Sequence, residues 1–412
     1  MKISVLTLGC KVNQSESYSL ESNLSKCGCS LVSLQENPDY SIINTCTVTA
    51  KSDYQSRQLI RRSLRSGAKV IVTGCYSQLR PHEINNIDNS IRIVNNKNKF
   101  NIISMITNKN ACNTSYYRKR SRAYLKVQDG CNFSCSYCVV PHARGKSQSL
   151  KSLEVINNAC EFENAGYKEI VLTGIHLGVY GHDLRPKINL SDLLKLILKK
   201  TKIERIRLSS LEVNEITEDI IEILQDRRIC SHLHIPLQSG DDHILKLMKR
   251  NYNVKNFTSK IENISKKVKD ISIGTDVIVG FPSESDKEFL NTKNIVKSLP
   301  LSYMHIFPYS KRPHTVASEM KEQITKHLKH ERYTELNALN IKKRHEYMSS
   351  YINETLDIII EEKGEGNTVV GTSSNYLKIC IPSVPYNKGT LMRVRIAGID
   401  NNRLIAYPLV GL

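Results

Sequence analysis

Apolar positions in this chain fall in short β-branched runs separated by polar stretches of helical period. Over residues 1–112 the runs "ISVLTLGC", "YSIINTC" and "KVIVTGC" each lead into turn residues and a helix-like segment, the pattern of parallel βα units. A second series occupies 117–345: "AYLKVQ", "EIVLTG", "RIRLSS", "LHIPLQ", "GTDVIVG" and "MHIFPYS", with segments such as "SDLLKLILKK" between them. Six such units predict an incomplete barrel, with its chemistry at the loops after the strand C-terminal ends. A polar helical stretch from about Lys321 to Tyr351 leads into 350–412, where "TLDIIIEE", "VVGTSSNYLKICI", "TLMRVRIAGI" and "RLIAYPL" read as short strands cut by Gly, Asn and Pro. That pattern predicts a small OB-like β-barrel, a format often used on nucleic acids, and fits a dimerisation or capping module equally. The expected fold class is α/β: an N-terminal parallel-sheet domain, a partial (β/α)6 barrel and a small all-β barrel.

Cysteine placement adds chemistry to this frame. Cys10, Cys46 and Cys75 each end one of the first three runs. Strand C-terminal ends of a parallel sheet share one edge, where ligands bind, so the three thiols are expected to converge as a metal site. Core packing of small apolar cysteines is the competing reading. A second set, Cys131, Cys135 and Cys138, lies in "QDGCNFSCSYCVVPHARG" at C-x3-C-x2-C spacing, in the loop after the first barrel strand. Structural zinc takes four ligands, and no fourth cysteine follows; His142, four residues past Cys138, is the alternative fourth ligand. Three close thiolates without a fourth point to an iron–sulfur cluster with one iron left open.

Length, charge and hydropathy narrow the class. At 412 residues the chain exceeds a single core. No apolar run approaches the roughly 20 residues of a membrane span. The start "MKISVLTLGC" suggests a lipoprotein signal, but Ser4 and Thr7 interrupt its apolar stretch, and a buried strand is the better reading. A cytoplasmic, reducing location is therefore expected, where twelve cysteines are not a disulfide framework. The net charge of +19 suggests a polyanionic partner, against the alternative of a coding bias spread over solvated surface. Clustering in "RQLIRRSLRSGAK" (Arg57–Lys69), "YYRKRSRAYLK" (Tyr116–Lys126) and "KHLKHERY" (Lys326–Tyr333) favours the partner. Arg118, Lys119 and Arg120 are expected to supply salt-sensitive RNA affinity.

The motifs "TLGCKVNQSE", "INTCTVT", "VTGCYSQ", "QDGCNFSCSYCVVPHARGKSQS", "TGIHLGVYGHD", "RIRLSSLE", "HIPLQSGDDHILKLMKRNY", "DVIVGFPSE" and "IFPYSKRPHTVA" resemble, in order and spacing, the radical S-adenosylmethionine methylthiotransferases. The resemblance spans almost the whole chain. It implies an N-terminal three-cysteine domain, a radical barrel and a terminal TRAM module. It also implies two 4Fe–4S clusters, one on Cys131, Cys135 and Cys138 that binds S-adenosylmethionine, the other on Cys10, Cys46 and Cys75 that carries the sulfur to be inserted. Tyr137, Thr173, Gly174, Ser209 and Gln238 are the implied cofactor contacts. The implied partners are a tRNA anticodon stem–loop, a reduced electron donor such as flavodoxin or ferredoxin, and a sulfur donor. "GCKVN" resembles the branch acting on N6-threonylcarbamoyladenosine at tRNA position 37. The isopentenyladenosine branch reads "GCQMN", and the branch acting on a ribosomal-protein aspartate reads "GCPKN". Ser283 and His314 stand where the family usually has glycine, which bears on those loops because Ser and His tolerate positive φ poorly. A reading of another class, a non-catalytic iron–sulfur RNA-binding factor, predicts RNA binding without cofactor cleavage.

Overall fold

The computed structural model describes residues 1–109, 120–364, 368–382 and 386–409; Tyr116–Lys119, including two of the three cations expected to hold RNA, lie outside these. The N-terminal strands β1 (Lys2–Thr7), β2 (Ser30–Leu31), β3 (Tyr40–Thr45), β4 (Lys69–Gly74) and β5 (Arg92–Ile93) form one parallel sheet in the order β2-β1-β3-β4-β5. The three cysteine-ended runs are its central strands; the two edge strands are only two residues long. Pleating sends Ile42 toward Leu20 and Leu24 of helix Lys11–Lys26, and its neighbour Ile43 toward Ile60 of helix Ala50–Arg65. Both faces of the sheet are thereby covered, as parallel pairing requires.

The six expected barrel strands are present. They are β6 (Ala123–Lys126), β9 (Glu169–Thr173), β10 (Arg205–Leu208), β11 (His232–His234), β12 (Ser272–Val279) and β13 (Tyr303–Pro308). Two parallel triplets, β6-β9-β10 and β11-β12-β13, meet through a bridge between Ile206 and Ile229. A short antiparallel ribbon, β7 (Gln128–Asp129) against β8 (Gln148–Ser149), closes the base of the Cys131–Cys138 loop. The last helix, Lys326–Ser349, is fastened to the barrel by Asn340, which accepts the Met304 N–H at 2.7 Å, and by Lys343, which donates to the Leu299 carbonyl at 2.7 Å. Ser283 and His314 both adopt the left-handed conformation, at φ 68° and 65°, so the loops keep the shape that glycine would favour.

The C-terminal strands β14 (Thr355–Lys363), β15 (Thr368–Ser373), β16 (Lys378–Pro382), β17 (Leu391–Asp400) and β18 (Arg403–Pro408) close into a barrel in the order β14-β15-β16-β18-β17. The run "VVGTSSNYLKICI" thus contains a turn rather than one strand. The Ser373 hydroxyl accepts the Leu377 N–H at 2.9 Å and donates to Asn375, a local side-chain turn that competes with the ladder. This turn plugs into the radical barrel. Tyr376 stacks on His232 with ring centroids 4.4 Å apart, while Arg207 donates to the carbonyls of Ser373 and Ser374 at 2.9 and 2.8 Å.

Candidate active site

The strand ends bring Cys10, Cys46 and Cys75 together. Gly9 has φ 106°, and a Cβ added there would fall 2.9 Å from Cys46 Cβ, so only glycine lets the Cys10 turn approach the end of β3. Asn13 fixes the same edge by donating to the carbonyls of Leu8 at 2.7 Å and Thr45 at 3.0 Å. Cys46 and Cys75 are buried and Cys10 is exposed, which leaves the group one open side. Burial pushes the Cys75 thiol up to about 11 against the pull of Arg144, and raises Cys46 as well.

Cys131, Cys135 and Cys138 line a loop whose backbone N–H groups turn toward sulfur. Phe133 N–H points at Cys131 Sγ and Val140 N–H at Cys138 Sγ, each at 3.4 Å. Four side chains to which the sequence alone assigns no role buttress this loop. Arg250 donates to Cys135 Sγ at 3.4 Å and pairs with Glu212; His176 Nδ1 lies 3.5 Å from Cys131 Sγ and its Nε2 meets Glu215. Burial raises Cys135 and pushes Cys138 up to about 12, so these two as bare thiols stay protonated. A bound metal centre is the partner that converts such thiols to thiolates.

The donor sets fit clusters better than single ions. Two thiolates on one zinc, at about 2.3 Å each, lie no more than about 4.6 Å apart. Among the described residues neither cysteine triad gathers all three sulfurs within 4.8 Å, and His142 is exposed on helix Val140–Arg144. Sulfur-directed amides are also what an iron–sulfur cluster exploits.

The expected cofactor contacts surround the same rim. Thr173 Oγ1 and Ser209 Oγ, at the ends of β9 and β10, are buried hydroxyls without a hydrogen-bond partner, an unmet demand that a polar ligand would satisfy. A Cβ on Gly174 would press to 2.9 Å from Gln128 Oε1, so glycine there serves close packing of strand end against loop. Gln238 and Tyr137 share the wall of a cavity of about 220 Å³ with Cys138, Phe307 and, from the N-terminal domain, Val48 and Thr49. One wall of this cavity follows Cys46 and another holds Cys138.

A buried ionic cluster joins the two cysteine-bearing loops. Arg144, whose side chain is 1% exposed, donates to Glu16 at 2.9 Å, to Asp129 at 2.8 Å and also to Asn13. Lys126 reaches Glu16 at 3.0 Å and Asp129 at 3.1 Å, and Lys99 pairs with Glu16 from behind. Burial alone would raise the Glu16 carboxyl; Lys126, Lys99 and Arg144 hold it well below the usual carboxylate range. Spacing could not mark these residues, because they are ordinary charged positions until the domains meet. Arg120, in the second basic segment, packs 4.4 Å over the Tyr18 ring and donates to Gln14, while Arg332, in the third, is buried against Glu284 at 2.7 Å. Among the described residues of the three segments, Arg61, Arg62, Arg65, Lys69, Arg120 and Lys326 are exposed.

Comparison with known proteins adds a second line. The pattern described as the radical SAM superfamily matches residues 125–296, and that described as uncharacterized protein family UPF0004 matches residues 2–96. A Bacillus subtilis (strain 168) protein named threonylcarbamoyladenosine tRNA methylthiotransferase MtaB is 38% identical over 417 residues, 95% of this chain and 92% of that one. One of the same name from Aquifex aeolicus (strain VF5) is 38% identical over 385 residues, 88% of this chain and 93% of that one. Among solved structures, the radical S-adenosylmethionine methyltransferase TsrM from Kitasatospora setae, with cobalamin and a [4Fe-4S] cluster bound, aligns with a TM-score of 0.59. It covers 77% of each chain at 13% identity, a likeness of fold alone. No helix among the described residues is long and apolar enough to cross a membrane.

Proposed function

The chain belongs to the radical S-adenosylmethionine methylthiotransferases, and on that premise we propose that it replaces the hydrogen at C2 of N6-threonylcarbamoyladenosine, at tRNA position 37, with a methylthio group. The observation that carries this reading is Arg144, which ties the loop bearing Cys131, Cys135 and Cys138 to the helix that begins after Cys10. A reaction that makes a radical on one group and receives sulfur from another needs those groups fixed across a single gap. An aromatic C–H has no neighbour to stabilise an anion, so a side-chain base cannot remove it. When bound, S-adenosylmethionine and two 4Fe–4S clusters supply the hydrogen-abstracting radical, the sulfur and its methyl group.

The protein's own residues hold and orient. Cys131, Cys135 and Cys138 would bind one cluster and Cys10, Cys46 and Cys75 the other. Thr173, Ser209, Gln238 and the Gly174 turn would seat the cofactor, with Tyr137 packed on Phe281 behind the loop. The basic face of helix Ala50–Arg65 and the closed C-terminal barrel would bind the anticodon stem–loop, with affinity falling as salt rises. The target base would leave its stack to reach the barrel mouth. A flavodoxin- or ferredoxin-type reductant and a sulfur donor complete the requirements.

The test is anaerobic incubation of reconstituted protein with reductant, S-adenosylmethionine, sulfide and tRNA carrying N6-threonylcarbamoyladenosine, followed by nucleoside mass spectrometry. A new 2-methylthio nucleoside formed together with 5′-deoxyadenosine is the expected result. Deoxyadenosine without that nucleoside would move the search to isopentenyladenosine tRNA or a ribosomal-protein aspartate. Neither product, from protein holding both clusters, would favour a binding factor.

A further inference from the structure

Lys11, the residue after Cys10, extends its ammonium into the radical barrel, where it lies 5.9 Å from the centroid of the Tyr376 ring. The charges acting on it most strongly are Arg207 and Arg122, with Glu169 as the one acid. Each of these is already engaged. Arg207 grips Glu169 at 2.7 Å; Arg122 holds Glu361 at 2.6 Å and Glu169 at 3.5 Å. Lys11 alone of this group makes no hydrogen bond or ion pair among the described residues. Its neighbour His232 keeps Nδ1 buried and unpartnered, while its Nε2 is occupied by the Tyr303 hydroxyl at 2.8 Å. The barrel interior therefore presents a half-buried cation and a spare polar nitrogen, and the nearby acids Glu169 and Glu361 are already held by Arg207 and Arg122. Such an arrangement is costly unless an anion arrives.

We propose that Lys11 recognises a carboxylate carried by the substrate base, which, on the reading of the preceding section, is the carboxylate of the threonylcarbamoyl group. Adenine chemistry gives this a direction. N6 is attached at C6, and C6 and C2 flank N1 on one edge of the ring. A base presenting C2 to the sulfur-bearing edge presents its N6 substituent to the same side. Lys11 is bonded to Cys10 on that edge, so one turn of chain offers both the sulfur site and a cation for the substituent. A neutral alkyl group on N6 would leave Lys11 unpaired. A backbone phosphate is the other anion that RNA brings, and it accompanies every base alike.

Binding distinguishes these sources. Reconstituted wild-type, Lys11→Gln and Lys11→Arg proteins, matched for iron and sulfide content, are titrated with three anticodon stem–loops. These carry N6-threonylcarbamoyladenosine, its carboxamide analogue or isopentenyladenosine at position 37. Wild type is expected to bind the carboxylate loop about tenfold more tightly than its carboxamide, the scale of one charge-assisted hydrogen bond. Lys11→Gln is expected to erase that preference while changing the two neutral loops by less than about twofold, and Lys11→Arg to retain most of it. Equal weakening on all three loops would overturn the proposal and make Lys11 a phosphate contact; unchanged binding would overturn it outright. Nucleoside analysis of the wild-type samples separates the two layers. Thiolation of the carboxylate loop with no Lys11-dependent preference overturns this inference alone, and absence of that thiolation overturns the substrate reading itself.

Discussion

Arg144, six residues past Cys138, donates to Glu16, six residues past Cys10, across 2.9 Å with both side chains buried. The pair is the innermost link between the two cysteine-bearing loops, and Lys99, Lys126 and Asp129 complete it. Glu16→Gln leaves the buried Lys99 without an acid, and Arg144 and the half-buried Lys126 with Asp129 alone. Breaking a buried pair in this way costs on the order of 3 kcal/mol, read as a fall in the urea midpoint. A double-mutant cycle with Arg144→Met should show strong coupling. Additive losses would mean that the two loops are held by packing instead.

Glu169 anchors the other junction, where the C-terminal barrel docks. Burial alone would raise this carboxyl, but Arg207 and Arg122 hold it down to about 2, against 4.5 for a free glutamate. A carboxylate depressed in the folded state contributes stability above about pH 4.5 and loses it as the pH falls toward 2. The difference is on the order of 3 kcal/mol at neutral pH. Urea unfolding of the apoprotein at pH 7, 5, 4 and 3 should show this acid loss, and Glu169→Gln should flatten it. An acid limb unchanged by the substitution would assign the loss to other carboxylates.

Ser283 occupies a left-handed position at φ 68° that any Cβ makes unfavourable. Ser283→Gly is expected to stabilise the protein by about 0.5–1 kcal/mol, since relief of that strain exceeds the added freedom of the unfolded chain. A lower melting temperature for the variant would show that the serine side chain contributes more than its backbone costs.

Removing iron should not unfold the chain. The six proposed ligands stand outside the hydrophobic clusters that hold each sheet to its helices. Chelated protein is expected to keep its far-UV circular dichroism and a cooperative thermal transition. Collapse of both would make the metal centres structural and support the non-catalytic reading.

Much of this architecture is legible in residue order alone. All three cysteine-ended runs are the central N-terminal strands, and all six barrel runs are strands, because parallel sheets buried on both faces need continuous β-branched segments. The Cys10, Cys46 and Cys75 triad is legible for the same reason, since strand ends fix where those thiols gather, and Cys131, Cys135 and Cys138 are legible from their close spacing on one loop. What spacing hides is contact between domains. Lys11, Glu16 and Arg144 are ordinary cations and acids until the N-terminal sheet meets the radical loop. Tyr376 looks like a strand residue until the Ser373 turn folds it into the barrel. The basic segments divide similarly, for Arg332 resembles its exposed neighbours in sequence yet is buried on Glu284.

The central claim, that two cysteine triads hold two centres with separate tasks, is tested most directly with Cys46→Ala. Anaerobic turnover of the reconstituted variant with S-adenosylmethionine, reductant and substrate tRNA is followed by mass spectrometry for 5′-deoxyadenosine and for the methylthio nucleoside. The account predicts deoxyadenosine at near wild-type yield and loss of the methylthio nucleoside. Full thiolation by this variant would contradict it.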